Sequence, residues 1–144
     1  MNFKWLLLTG ILTLSASLTY SQAPQFLTDW EEAQQLATQE NKDLLIILTG
    51  SEWCAPCKKM DKKVIAHKAF EAYAEEHLII FLVDLPNEIV YNSEVYQRYL
   101  QFQKDYQAKK LPSLILADSQ GTKIKTLKGK MFDLDNVMKQ LQSK

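Results

Sequence analysis

Four strand-like apolar runs and four stretches of helical periodicity alternate along this chain. The first periodic stretch places Trp30, Ala33 and Ala37 on one stripe, flanked by Leu36. Thr28-Asp29-Trp30-Glu31 has the capping-box pattern, so the spacing predicts a helix capped by Thr28 that ends near Glu40, before Asn41-Lys42. Leu44 to Leu48 is apolar without a break, as expected of a central strand covered on both faces. Met60, Val64, His67, Phe70 and Tyr73 then recur at helical spacing across Lys58 to Glu76. His77 to Val83 reads as a second buried strand, stopped by Asp84-Leu85-Pro86-Asn87. Ser93 caps a helix that carries Val95, Tyr99, Phe102 and Tyr106 on one face and reaches about Ala108. Ser113 to Ala117 and Thr122 to Leu127 form a hairpin about Asp118-Ser119-Gln120-Gly121. Gly129 ends it, and a closing helix over Phe132 to Gln142 turns Leu134, Val137, Met138 and Leu141 inward. Gln22 to Leu27 is left as a short leader without structure of its own.

The 144 residues suffice for one domain with a core that needs no staples. Seventeen basic and seventeen acidic side chains cancel, which argues against nucleic acid or an anionic membrane surface as the main partner. Lys58-Lys59 and Lys62-Lys63 read as the solvated face of a helix. The first residues differ from the rest. Lys4 precedes an apolar stretch, Trp5 to Leu14, and small polar residues follow, the layout of a secretory signal peptide over residues 1–21 cleaved after Ser21. The apolar run is shorter than the roughly 20 residues of a membrane span, although an uncleaved N-terminal anchor is the alternative. The mature domain then covers residues 22–144, exported to a periplasm or secreted.

Both cysteines lie in Ser51-Glu52-Trp53-Cys54-Ala55-Pro56-Cys57-Lys58, between the first strand and the second helix. Opening a helix, Cys54 and Cys57 stand one turn apart on one side, which suits a reversible disulfide. Cys54 at the helix start meets unpaired N–H groups and the positive end of the dipole, which favour a thiolate. Such sites bring a thiol from about 8.5 into a range of roughly 3.5–7.5. Pro56 fits the first turn, where no N–H is missed. A structural staple is a poor reading, because a loop this short constrains the unfolded chain little. Zinc is disfavoured as well: His67 and His77 lie too far along the chain to complete a tetrahedron with the cysteines. Trp53, directly before Cys54, suggests a surface role shielding the disulfide.

Trp53-Cys54-Ala55-Pro56-Cys57-Lys58 resembles the active-site motif of the thioredoxin superfamily, with Ala55 where thioredoxin usually has glycine. The run Thr49-Gly50-Ser51-Glu52-Trp53-Cys54 is similar to that of exported, single-domain bacterial thioredoxin-like proteins. The resemblance implies an α/β thioredoxin-like fold, a central mixed β-sheet flanked by helices, with an extra N-terminal helix. It implies a break near Ile65-Ala66-His67, and a cis-proline at Pro112 beside the cysteines, with Leu111 offering its backbone to an incoming peptide. Gly129 stands where relatives keep a glycine facing the site. Tyr106 to Ser113 departs from the family at Lys110, where glycine is common, and at Ser113, where threonine is common. Thioredoxins also bury an aspartate six positions before the first cysteine, opposite a lysine on the next strand; here those positions are Leu48 and Ile80, which leaves Cys57 without a buried base.

The implied function is thiol–disulfide exchange on exported proteins, in the reductase direction, with Cys54 as nucleophile and Cys57 as resolver. Trp53, Leu111, Pro112 and Gly129 would meet the substrate. No cofactor or metal is called for. The implied partners of a monomer are cysteine-containing clients and a thiol electron donor, one option being a membrane-embedded one. An oxidase or isomerase, or a non-catalytic binding module that keeps the fold, are the alternative readings.

Overall fold

The computed structural model describes Pro24 and residues 26–143, so the signal peptide expected over residues 1–21 lies outside the described residues. A five-stranded mixed sheet forms the centre, in the order β1-β3-β2-β4-β5. Its strands are β1 (Phe26–Leu27), β2 (Asp43–Thr49), β3 (Leu78–Asp84), β4 (Ser113–Ala117) and β5 (Lys123–Thr126). β1, β3 and β2 run parallel, β4 pairs antiparallel with β2, and β5 pairs antiparallel with β4. The helices are α1 (Trp30–Glu40), α2 (Ala55–Met60), α3 (Lys68–His77), α4 (Glu94–Asp105) and α5 (Leu134–Gln142). Among the described residues no helix is long and apolar enough to cross a membrane.

The unbroken apolar runs of β2 and β3 cover both faces of the sheet, and the two faces hold separate cores. One packs Leu44, Ile46, Leu48, Phe81 and Val83 against α1 and α4. The partly buried Trp30 packs against it, edge-on to Phe81 at 4.9 Å and to Phe102 at 5.0 Å between ring centroids. Ala33 and Ala37 are fully buried, and their small side chains let α1 lie close to the strands. The opposite core joins Leu45, Ile47 and Ile80 to Met60, Val64, Phe70, Val137 and Leu141. Each fully buried large side chain contributes on the order of 1.5–3 kcal/mol.

Several local expectations shift. The cap of α1 is Asp29, whose Oδ1 accepts from Glu32 N–H at 2.8 Å, so helix and cap stand one residue later than the Thr28 pattern indicates. Phe26–Leu27 is an edge strand rather than a leader, registered on Ile80 and Phe81. Two residues carry no periodicity to read. The long helix after Cys57 does break where expected. After α2 it widens into a π-helix over Asp61–Ile65, with Ala66 N–H reaching Asp61 O at 2.9 Å. The wider turn buries the neighbours Val64 and Ile65 together. His67 is exposed and caps α3 through Nδ1, which accepts from Ala69 N–H, instead of joining a buried face. Val95 is half exposed, so the buried face of α4 begins at Tyr99.

Candidate active site

β2 delivers the chain to the site at its C-terminal end. Its last residue, Thr49, is followed by a tight turn in which Gly50 O accepts from Trp53 N–H at 3.2 Å and Cys54 N–H at 2.8 Å. Cys54 is the N-cap of α2, and its Sγ accepts from Cys57 N–H at 3.3 Å. Pro56 lies in the first turn of that helix. Cys54 and Cys57 are joined in a disulfide with their Cα atoms 5.2 Å apart. Cys54 keeps 6% of its surface exposed and Cys57 none, so an incoming sulfur has access to Cys54 alone.

Trp53 covers one flank. Its ring lies on the backbone of Gly50, where an added Cβ would stand 2.7 Å from the indole. Its Nε1–H donates to Leu85 O at 2.9 Å, which pins the half-exposed ring toward the end of β3. Beneath it, the Asp84 carboxylate accepts from Ser51 N–H at 2.8 Å and from the Ser51 hydroxyl. Asp84 closes β3 directly beside Thr49, so the clamp ties the turn before Cys54 to the sheet. Asp61, one turn after Cys57, is an acid of raised pKa: burial is the main cause, and the nearby Asp84 charge adds to it. Both causes disfavour the carboxylate.

The other flank is a groove of about 160 Å³ on the β4 side, lined by Pro56, Leu111, Pro112, Gly129 and Phe132 among others. The Leu111–Pro112 peptide bond is cis, and Ser113 Oγ–H donates to Lys110 O at 2.6 Å just outside it. Gly129 has φ +86°, a left-handed conformation that side chains resist, and a Cβ would press on the Asn136 amide at 3.2 Å. Asn136 in turn holds the loop to α5, donating to Lys128 O at 2.9 Å and Lys130 O at 3.3 Å. Among the described residues nothing hydrogen-bonds the backbone N–H or C=O of Leu111.

Leu111, Pro112 and Gly129 thus meet in one groove beside Pro56, whereas Trp53 stands apart from it, on the β3 side of Cys54. The expected pairing of Leu48 with Ile80 is corrected. Leu48 is registered with Val83, three positions from Ile80, and the two side chains belong to cores on opposite faces of the sheet. The interacting acidic pair of this region is Asp84, bonded to Ser51, and Asp61, four residues after Cys57. Sequence reasoning missed them, together with Ser51 and the packing role of Gly50. The Thr49-Gly50-Ser51 run was the available signal for the last two.

A mixed sheet flanked by helices, with a CxxC disulfide at the strand-to-helix junction and a cis-proline groove beside it, defines a thioredoxin-fold redox-type site. The family profile of the thioredoxin-like domain matches residues 30–143, and this chain belongs to that family. It is 29% identical over 98 residues to the disulfide bond reductase DsbH of Chlamydia pneumoniae, covering 66% of this chain and 59% of that protein. It is 25% identical over 123 residues to the thioredoxin-related protein DsbJ of the same organism, covering 80% of this chain and 35% of that one. The matches therefore span less than two thirds of either relative. In fold it is similar to a solved DsbH oxidoreductase (TM-score 0.72, 22% identity, 94% of this chain and 93% of that one). A thioredoxin from Thermus thermophilus is also similar (TM-score 0.64, 12% identity, 84% and 86% covered).

Proposed function

We propose that this protein is a thiol–disulfide oxidoreductase that reduces disulfides of exported proteins. The observation that carries the reading is the unequal burial of the pair, Cys54 at 6% and Cys57 at 0%, at the start of a helix. In the reduced protein the Cys54 thiolate is stabilised by the N–H of Cys57 and by the helix start. It attacks one sulfur of a client disulfide, forming a Cys54–client disulfide and releasing the other client sulfur as a thiolate that takes up a proton. Cys57, once deprotonated, attacks Cys54 Sγ; the mixed disulfide breaks, the second client thiol leaves, and the Cys54–Cys57 disulfide forms. Two electrons have passed to the client. A thiol donor restores the dithiol by the same exchange in reverse, and no cofactor takes part.

Trp53, Leu111, Pro112 and Gly129 are assigned to client contact. The free backbone of Leu111 offers a donor and an acceptor to an extended segment lying in the groove, and Trp53 shields the disulfide from the β3 side. The reductase direction is supported by the name of the Chlamydia relative, and export by the layout of residues 1–21. Insulin reduction driven by dithiothreitol tests the activity. Wild type should turn over, and both Cys54→Ala and Cys57→Ala should be inactive. Cys57→Ala alone should accumulate mixed disulfides. Equal trapping by the two variants would overturn the assignment of nucleophile and resolver, and turnover by either would remove the disulfide from the mechanism.

A further inference from the structure

The chain as a whole is neutral, yet the groove beside the disulfide is not. The charged residues that line it are both lysines, Lys110 and Lys130. A third ammonium joins them: Lys59 Nζ stands 4.1 Å from the ring centroid of Phe132, itself part of the groove wall. All three lysines are exposed, and none is ion-paired with a carboxylate among the described residues. The acids closest to them in sequence are Asp61, and Asp133 and Asp135, which line the neighbouring pocket on the Phe132 ring with Lys62 and Lys63; Asp133 turns its Oδ1 to Asn136 N–H as the cap of α5. On the β3 side of the cysteines the sign reverses, with Asp84 ending the strand and Glu88 in the loop after it. Positive charge is therefore gathered on the flank where a client segment would lie.

From this we infer that the preferred client is a polypeptide whose reacting cysteine is flanked by acidic side chains. The inference rests on the proposed thiol–disulfide exchange and names its substrate class. Three unpaired ammonium groups around an apolar groove attract aspartate or glutamate neighbours and repel lysine or arginine. The apolar wall of Pro56, Leu111, Pro112 and Phe132 accepts a non-polar residue between them. A cleft lined by one sign of charge typically raises association rates by about 10–1,000-fold at low ionic strength. Groups at the rim of a small open groove fall at the lower end of that range. The lysine at position 110, where the family commonly has glycine, adds a charge directly next to Leu111.

The test uses the full chain, reduced and freed of reductant, and three disulfide-linked peptides alike except for acidic, neutral or basic residues around the cysteines. Each second-order rate is divided by the rate of the same peptide with dithiothreitol, which removes the effect of the flanking charges on the leaving thiol. The acidic peptide should outpace the basic one by about tenfold at 20 mM salt, and the ratio should fall toward one near 0.5 M salt as the charges are screened. In a Lys59→Glu, Lys110→Glu, Lys130→Glu variant the preference should invert. Equal normalised rates for acidic and basic peptides, with the neutral peptide still reduced, overturn the client preference and leave the oxidoreductase reading intact. An acidic preference that survives the triple substitution also overturns it, because the field then comes from elsewhere. No reduction of any of the three peptides overturns the activity and the preference together.

Discussion

The Ser51–Asp84 clamp is the structural feature whose removal should be felt most sharply without touching a cysteine. Asp84→Ala deletes a carboxylate that accepts two hydrogen bonds, one from Ser51 N–H at 2.8 Å and one from the Ser51 hydroxyl. Hydrogen bonds to a charged group are worth roughly 1.5–3 kcal/mol each where buried. Asp84 is only partly buried, so about 2–3 kcal/mol for the pair is the expected loss. For a domain of about 120 residues, with an unfolding entropy near 2.1 cal/mol/K per residue, this lowers Tm by about 8–12 °C. One term works the other way. Asp84 helps to raise the pKa of Asp61, so its removal relieves a repulsion that exists only when both groups are ionised. Asp84→Ala should therefore cost more in an Asp61→Asn background, which has no repulsion to relieve. Urea unfolding of the oxidised full chain at pH 7 would measure the wild type, the two single variants Ser51→Ala and Asp84→Ala, and their combination. Ser51→Ala removes only the hydroxyl bond, so a coupling of about 1 kcal/mol with Asp84→Ala is expected. Additive effects, or a loss below about 0.5 kcal/mol for Asp84→Ala, would refute the clamp as a support of the turn before Cys54.

Three further outcomes follow from other parts of the site. Asp61→Asn should stabilise the protein at neutral pH: the raised pKa means that the folded state gives up its proton reluctantly, so stability from this group is full below the ordinary value of 3.8 and is lost as pH rises through the raised one. The advantage of the variant in urea melts should vanish below pH 3.8, and a gain that persists there would point to a different cause. Gly50→Ala should push the Trp53 ring off the turn, since the new Cβ would lie 2.7 Å from it; Trp53 fluorescence and loss of roughly 1–3 kcal/mol from overpacking would report this, and an unchanged spectrum would show that the ring does not rest on Gly50. Mass spectrometry of protein taken from its host should find a chain beginning near Gln22; an intact Met1 on membrane-bound protein would convert the signal peptide into an anchor.

Local chemistry carried much of the fold in plain view. The four helical stretches and four longer strands follow from apolar periodicity, and the break that divides the second stretch after Ile65 follows from the resemblance. Placement of Cys54 at a strand-to-helix junction needs only the neighbouring residues, because caps, turns and periods are set within a few positions of the chain. Contacts across the sheet obey no such rule. The resemblance implies Leu48 and Ile80 as partners, but which face a side chain takes depends on strand register, and a register of Leu48 on Val83 sends the two to opposite cores. The two-residue strand Phe26–Leu27 exists only because β3 offers it an edge. Ser51 finds Asp84 across 33 positions, and Lys110 and Lys130 come from separate segments before they line one groove, with Lys59 set against the Phe132 ring in its wall. Those meetings depend on how the packed layers bring distant segments together, and only the tertiary structure decides them.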